Sequence, residues 1–287
     1  MGDPFRKRYI LPVVCALLVP SVGFAAGKIA AVLTLKDSLT SLNQPATVEV
    51  RLVDKGLLAN AGLGGEPVEL LINGKVVATA MTGGDGRAIM FYTPAKLGIV
   101  PLQVRVGTTP RVGAVDAEAV LAVWERRSPI VMVEVASLTE VPPTKNPLPG
   151  ISLTGDPERK PMPDAADEIA KLTRFLYRVI YVTALPAAGA DGFQAAAETR
   201  GWLKANKFPP GFVLVLPPGD EALGGKLDEL HAAGWKTIKT GIGRTRAFAE
   251  AFLQRRLEAI VVPEPAKGDV PRKAKVAKEW KEVRKNL

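Results

Sequence analysis

A chain of 287 residues, 47% hydrophobic and 23% charged, can bury substantial cores and is long enough for two domains. It holds 1 cysteine and 1 histidine, which excludes a multi-histidine zinc site. If Cys15 leaves with an N-terminal leader, disulfides, thiolate metal sites and a cysteine nucleophile are excluded as well. Lysine and arginine number 38 against 29 acidic residues, a net charge of +9 that inclines the molecule toward polyanions.

The chain opens with Arg6, Lys7 and Arg8, an apolar run from Tyr9 to Val22 and the small-residue exit Gly23-Phe24-Ala25. That order predicts a secretory signal peptide over residues 1–25, cleaved near Ala25, and so an exported protein, periplasmic or at the cell surface. The apolar run is short for a comfortable membrane span, and an uncleaved N-terminal anchor is the alternative. Pro12-Val13-Val14 ahead of Cys15 is a poor lipoprotein signal.

From residue 28 to 125 short apolar or alternating strands are separated by turn residues. Ala31 to Leu35, Ala46 to Val53, Pro67 to Ile72, Lys75 to Ala80, Arg87 to Tyr92, Val100 to Val106 and Ala117 to Val123 read as strands. Asn73-Gly74 is a hairpin signal, because both central residues of that turn need positive φ, and Asp85-Gly86 gives a second. The spacing predicts an all-β, immunoglobulin-like sandwich without cysteines. Residues 65–74, 82–88 and 92–94 resemble bacterial Ig-like repeats of secreted and surface proteins, which implies a spacer or adhesion module. The region shows no catalytic constellation.

Arg126-Arg127-Ser128-Pro129 marks the boundary, and a second domain is expected over residues 128–265. Apolar strands at Ile130 to Val135, Val179 to Thr183, Phe212 to Leu216, Thr237 to Gly241 and Ala259 to Val262 alternate with helical stretches. Those stretches are Asp164 to Tyr177, Gly192 to Asn206, Gly219 to Ala233 and Thr245 to Arg256. Continuous apolar strands are buried on both faces, so the prediction is a three-layer, Rossmann-like α/β domain with a parallel sheet. Pro142 to Pro163 reads as a long loop or small cap. The single histidine, His231, falls in a helical run and is expected at the surface.

Several stretches carry a family likeness. Residues 178–186 (RVIYVTALP) form a strand ending in Thr183, followed by 199–204 (TRGWLK) and 208–216 (FPPGFVLVL). Residues 225–230 (GKLDEL) supply Lys226, and residues 241–252 (GIGRTRAFAEAF) a glycine-rich turn into a helix. Together they resemble the haloacid dehalogenase (HAD) superfamily, most closely the lipin-type phosphatidate phosphatase domain and its relatives in phosphatidylinositol transfer proteins. The resemblance implies a first strand ending in two aspartates, a nucleophile and a general acid and base, with further carboxylates holding Mg²⁺.

This chain carries Glu134 and Ala136 at the first pair and Arg244 and Phe248 at the metal-binding positions. A glutamate's extra methylene moves the carboxylate by about 1 Å, a misplacement that costs about a hundredfold. The resemblance therefore implies a catalytically silent domain, a pseudo-phosphatase without a cofactor. Thr183, Lys226 and Arg244 remain as a set for a phosphorylated or anionic ligand such as a phospholipid headgroup, or as structural leftovers. The alternatives are a divergent Mg²⁺-dependent phosphatase using Glu134, and a structural or adhesive surface protein. Glu140, Asp156, Asp191, Asp220 and Glu264 lie on loops from which a metal site would have to be rebuilt.

After Pro263-Glu264-Pro265 the segment 266–287 is basic, with Val276, Trp280, Val283 and Leu287 at helical spacing. It predicts an amphipathic C-terminal helix, lying on an anionic membrane surface or docked on its own domain. Nucleic acid is not expected as a partner of an exported chain without a nucleic-acid-binding motif.

Overall fold

The computed structural model describes residues 28–56, 61–140, 159–185, 187, 190–217, 219, 221–265 and 270–287. The expected signal peptide, most of the Pro-rich segment, Asp156 and Asp220 lie outside the described residues.

The first domain is built from β1 (Ala31–Leu35), β2 (Ser38–Thr40), β3 (Ala46–Asp54), β4 (Pro67–Ile72), β5 (Lys75–Met81), β6 (Arg87–Tyr92), β7 (Gly98–Val106) and β8 (Val115–Val123). Period-2 alternation sets their faces: in β3, Val48, Val50 and Leu52 are buried while Thr47 is exposed. The strands form two sheets, β1-β3-β6 and β2-β8-β7-β4-β5, closed over one core around Val48, Leu70, Leu102 and Leu121. This is an Ig-like β-sandwich, as the strand pattern predicts.

Two details differ from expectation. β2 was not foreseen, because three residues are too few to show a period; it forms where the chain turns at Lys36-Asp37 and pairs in parallel with β8. Asn73-Gly74 is a hairpin turn with φ of 50° and 74° at its centre. Asp85-Gly86 is not one: β5 and β6 belong to different sheets, and the turn carries the chain across the sandwich. Glycine is needed at position 86, where φ is 75° and a Cβ would lie 2.1 Å from the Leu52 carbonyl oxygen.

The second domain contains β9 (Ile130–Glu134), β10 (Arg178–Ala184), β11 (Phe212–Leu216), β12 (Ile238–Gly243), β13 (Glu258–Val261) and β14 (Lys275–Val276), all parallel. Their order is β11-β10-β9-β12-β13-β14, which counted from β9 is 3-2-1-4-5-6, a doubly wound sheet. The helices are α1 (Ala165–Arg174), α2 (Gly192–Ala205), α3 (Ala222–Ala232), α4 (Arg246–Leu253) and α5 (Trp280–Val283). On one face, Leu227 of α3 and Phe248 and Phe252 of α4 cover Met132, Ile180 and Ile238. On the other, Ile169 of α1, Leu203 of α2 and Trp280 of α5 cover Val131, Tyr181 and Ile260.

The C-terminal segment corrects the expectation of one helix over 266–287. From Val270 on it adds β14 to the sheet edge and then a single helical turn, α5. Trp280 and Val283 are fully buried, and the Trp280 indole N–H donates to the Ser137 carbonyl at 3.1 Å. Arg284 and Lys281 pair with Glu168 and Asp164. Most of the apolar stripe is therefore spent against its own domain, with Val276 left exposed. His231 is also more engaged than expected, its Nε2 lying 2.9 Å from the Ile238 carbonyl oxygen.

The two domains share an apolar cluster: Ala122 and Trp124 of the sandwich belong with Phe212, Leu230 and Trp235. Asp37, at the corner between β1 and β2, fixes the polar part of the junction. It accepts from the Val120 N–H at 3.0 Å, the Val213 N–H at 2.9 Å and Arg200 Nη1 at 2.9 Å. Burial pushes its carboxyl pKa up, against the lowering influence of Arg200 and the two backbone donors. Arg200 also donates to the carbonyls of Leu35 and Glu118, and Arg51 pairs with Asp191 at 2.9 Å.

Candidate functional site

The chain leaves β9 for a helix on one face of the sheet and leaves β12 for a helix on the other. A crevice between the carboxyl ends of such strands is where doubly wound sheets hold ligands. Here the crevice is occupied by the protein itself. Glu134, the last residue of β9, reaches the N-terminus of α4. Its Oε2 accepts from the backbone N–H of Arg244 at 2.6 Å and of Thr245 at 2.9 Å, and its Oε1 accepts from the Thr245 hydroxyl at 2.6 Å. Thr245 in turn caps the helix, its Oγ1 accepting from the Phe248 N–H at 3.2 Å.

A carboxylate is favoured there by the unpaired N–H groups and the positive end of the helix dipole. Gly243 makes the approach possible, since a Cβ on it would lie 2.8 Å from Glu134 Oε2 and 2.3 Å from the Phe248 ring. The Arg244 guanidinium turns away, Nη2 donating to the Thr139 carbonyl at 2.6 Å. Burial lowers its pKa while the nearby Glu134 charge raises it, with a net lowering; the group stays protonated at neutral pH.

This arrangement does not fit the Mg²⁺ that the family resemblance implies. A magnesium site needs several hard oxygen ligands in near-octahedral geometry. Both Glu134 oxygens already face donors, Arg244 brings positive charge, and Phe248 packs its ring into the core beside Phe252. Among the described residues no three acidic, histidine or cysteine side chains gather as a metal would require. Asp191 instead caps α2 through the Phe193 N–H. Ala136, in a short 3-10 turn after β9, has no proton to transfer.

Of the residues that the sequence nominates for a ligand, the fold brings two to one edge. Thr183 lies on β10 one residue beyond the Val182–Glu134 pair, and Arg244 follows β12 on the other side of β9. Lys226 does not join them. It sits on α3, paired with Glu229 at 2.6 Å, and lines a hollow near Lys36 and Glu49 at the domain junction.

A cavity of about 720 Å³ lies elsewhere, between the domains. The outer face of β7 and β8 forms one wall, with Pro101 and Val120; α2 and the stretch Phe208–Gly211 form the other, with Tyr181 at its base. Gly211 is needed there, because a Cβ would meet the Val179 carbonyl oxygen at 2.5 Å and the Tyr181 ring at 2.8 Å. The Tyr181 hydroxyl donates to the Pro209 carbonyl at 2.8 Å, and burial raises its pKa. Lys204 and Glu118, both exposed, are charged groups on the lining. Volume, domain-interface position and an apolar wall with few polar groups are the marks of a small-molecule site. Sequence reasoning missed it because its walls are about a hundred residues apart in the chain; the Pro209-Pro210-Gly211 turn was its one local trace.

No family model and no curated protein matches the chain. Among solved structures it is similar over 36% of its length to the N-terminal Ig1-2 module of the Drosophila receptor protein tyrosine phosphatase DLAR, at 17% identity, TM-score 0.24 and 60% of that chain covered. The D00-D0 domain of intimin matches 32% of this chain at 17% identity and TM-score 0.24, with 46% of its own chain covered. Parabacteroides merdae β-glucuronidase matches over 82% of this chain and 40% of its own, at 10% identity and TM-score 0.29. In each of these three the chain spans less than two thirds of the matched protein.

Proposed function

We propose that the chain is an exported, non-catalytic binding protein. In this reading a degenerate α/β domain of haloacid dehalogenase type is fixed to an Ig-like sandwich, and an anionic, partly apolar ligand is taken in the cavity between them. One observation carries the reading: both oxygens of Glu134 are consumed by α4, so the crevice is closed by an internal anion. A carboxylate held by three donors is a poor nucleophile, and it repels a phosphoryl group that would compete for the same helix terminus. Glu134 at the end of the first strand and Arg244 after the fourth also support the correspondence of motifs on which the family resemblance rests.

The ligand moves accordingly from Thr183, Lys226 and Arg244 to the cavity, whose apolar wall suits an amphiphile and whose Lys204 suits its anionic end. Hydrolysis of a phosphomonoester with Mg²⁺ is expected to be absent in the full chain. Metal-dependent turnover abolished by Glu134→Gln would overturn the non-catalytic reading. For the cavity the probe is anilinonaphthalene sulfonate, an aromatic anion. Saturable fluorescence is expected to weaken in Lys204→Ala and to be lost in Ala197→Phe, which fills the space. Binding unchanged in both variants would place the dye elsewhere and refute the cavity.

A further inference from the structure

The ends of a sandwich sheet are edges with unpaired backbone groups, and native proteins blunt or cover them. One edge of this molecule is covered: β11, the outer strand of the parallel sheet, gives its Val213 N–H to Asp37. The outer strand β6 of the small sheet is treated differently. Ile89 and Phe91 point outward and are 56% and 64% exposed, and Val76, Val77 and Met81 on neighbouring β5 are exposed too. Among the described residues, five of the ten exposed large apolar side chains thus lie on these two strands, a concentration that suits an interaction surface.

The backbone register shows which groups of β6 are free. The Leu52 N–H donates to the Gly86 carbonyl, so Gly86, Ala88 and Met90 turn their backbone groups toward β3. By the antiparallel alternation Ile89 and Phe91 turn theirs to the free edge. Arg87 is already closed off, its N–H on Asp85 Oδ1 at 3.1 Å and its carbonyl on the Gly83 N–H at 2.7 Å. The free donors and acceptors on β6 are therefore centred on Met90, and the strand is self-complementary about that point.

We infer that the protein forms a two-fold dimer through antiparallel pairing of β6 with β6 of a second copy, Ile89 of each chain opposite Phe91 of the other. The pairing joins two three-stranded sheets into one of six strands. It satisfies the four backbone groups of Ile89 and Phe91 on each copy, and it sets apolar against apolar on the outer face. The surface continues the domain junction, where β1 is covered by α2 and Arg87 lies 5.7 Å from the Phe193 ring centroid.

Sedimentation equilibrium of the full chain tests this. The expected mass is twice that of the chain, falling to one chain in Phe91→Lys and Ile89→Lys and unchanged in the control Phe175→Lys, an exposed site on the other domain. In a Cys15→Ser background, Ile89→Cys mixed with Phe91→Cys is expected to cross-link, because directly opposed hydrogen-bonded residues have Cα atoms about 5.5 Å apart. Ile89→Cys alone is expected not to. A monomer at every concentration overturns the inference, and so does a dimer indifferent to both lysine variants.

Discussion

Two carboxylates do the same job in different surroundings. Asp37 at the domain junction and Glu134 in the sheet crevice each accept three hydrogen bonds, two of them from backbone N–H groups. Asp37 quiets a strand edge that would otherwise pair with another strand; Glu134 quiets a helix terminus that would otherwise hold an external anion. Their counter-charges differ. Asp37 is buried with Arg200 against it, whereas Glu134 is only half-buried and relies on the helix end, with the Arg244 side chain bonded elsewhere. The lesson is that one functional group, the carboxylate, closes backbone valences at two places, and its energetic weight depends on how much water each place retains.

The sharpest way to break that comparison is Asp37→Ala. It leaves Arg200, 15% exposed at its side chain, without its counter-charge and two backbone N–H groups without their acceptor. Removing one member of a buried ion pair costs about 3–5 kcal/mol. Because Asp37 bonds to both domains, denaturant unfolding followed separately by tryptophan fluorescence and far-UV signal is expected to split into two transitions. A single transition with an unchanged midpoint would mean the shared apolar cluster alone couples the domains.

Glu134→Ala is expected to cost less, about 1–3 kcal/mol, since the half-buried N-terminus of α4 can recruit water for the N–H groups left without an acceptor. Glu134→Gln retains one carbonyl acceptor and is expected to fall at the lower end of that range. Neither variant is expected to alter hydrolysis of a phosphomonoester. A loss at Glu134 equal to that at Asp37 would show that the crevice is as dry as the junction.

Most of the second domain was legible because its strands are buried on both faces and so leave unbroken apolar runs, as in Val179 to Val182 and Phe212 to Leu216. Glu134, Ala136, Arg244 and Phe248 could be placed only through the family resemblance, which lays them on recognisable strand ends and turns. What Glu134 bonds to could not be: its partners lie 110 and 111 residues away, and only the β9–β12 adjacency brings them together. The same limit hid Asp37, which is one acidic residue in a polar turn until β8, β11 and α2 converge on it. In the C-terminal segment the period of Trp280 and Val283 was visible, but the spacing of apolar residues names a buried face, not the length of helix that carries it. Two residues at 275–276 join the sheet instead, because β13 offers a free edge.

A third carboxylate sharpens the comparison at its weakest end. Glu168 on α1 is buried, accepting Lys171 Nζ at 2.7 Å and Arg284 Nε at 2.6 Å, so its valences are filled by side-chain cations alone. Burial raises its pKa, but the hydrogen bonds and charges of Lys171 and Arg284 outweigh that and leave it below the ordinary glutamate value. A depressed folded-state pKa means that the unfolded chain binds the proton first. Its stabilisation is therefore present above about pH 4.3 and is lost as pH falls through the folded value. Both cations are about 40% solvent-exposed at their side chains (43% and 39%), so the effect is expected to be small, about 1 kcal/mol or less. Glu168→Gln should remove that part of the acid limb of a stability–pH curve and loosen the docking of α5, read as faster hydrogen exchange around Trp280. An acid limb unchanged by the substitution would assign the loss to other carboxylates and leave α5 held by the burial of Trp280 alone.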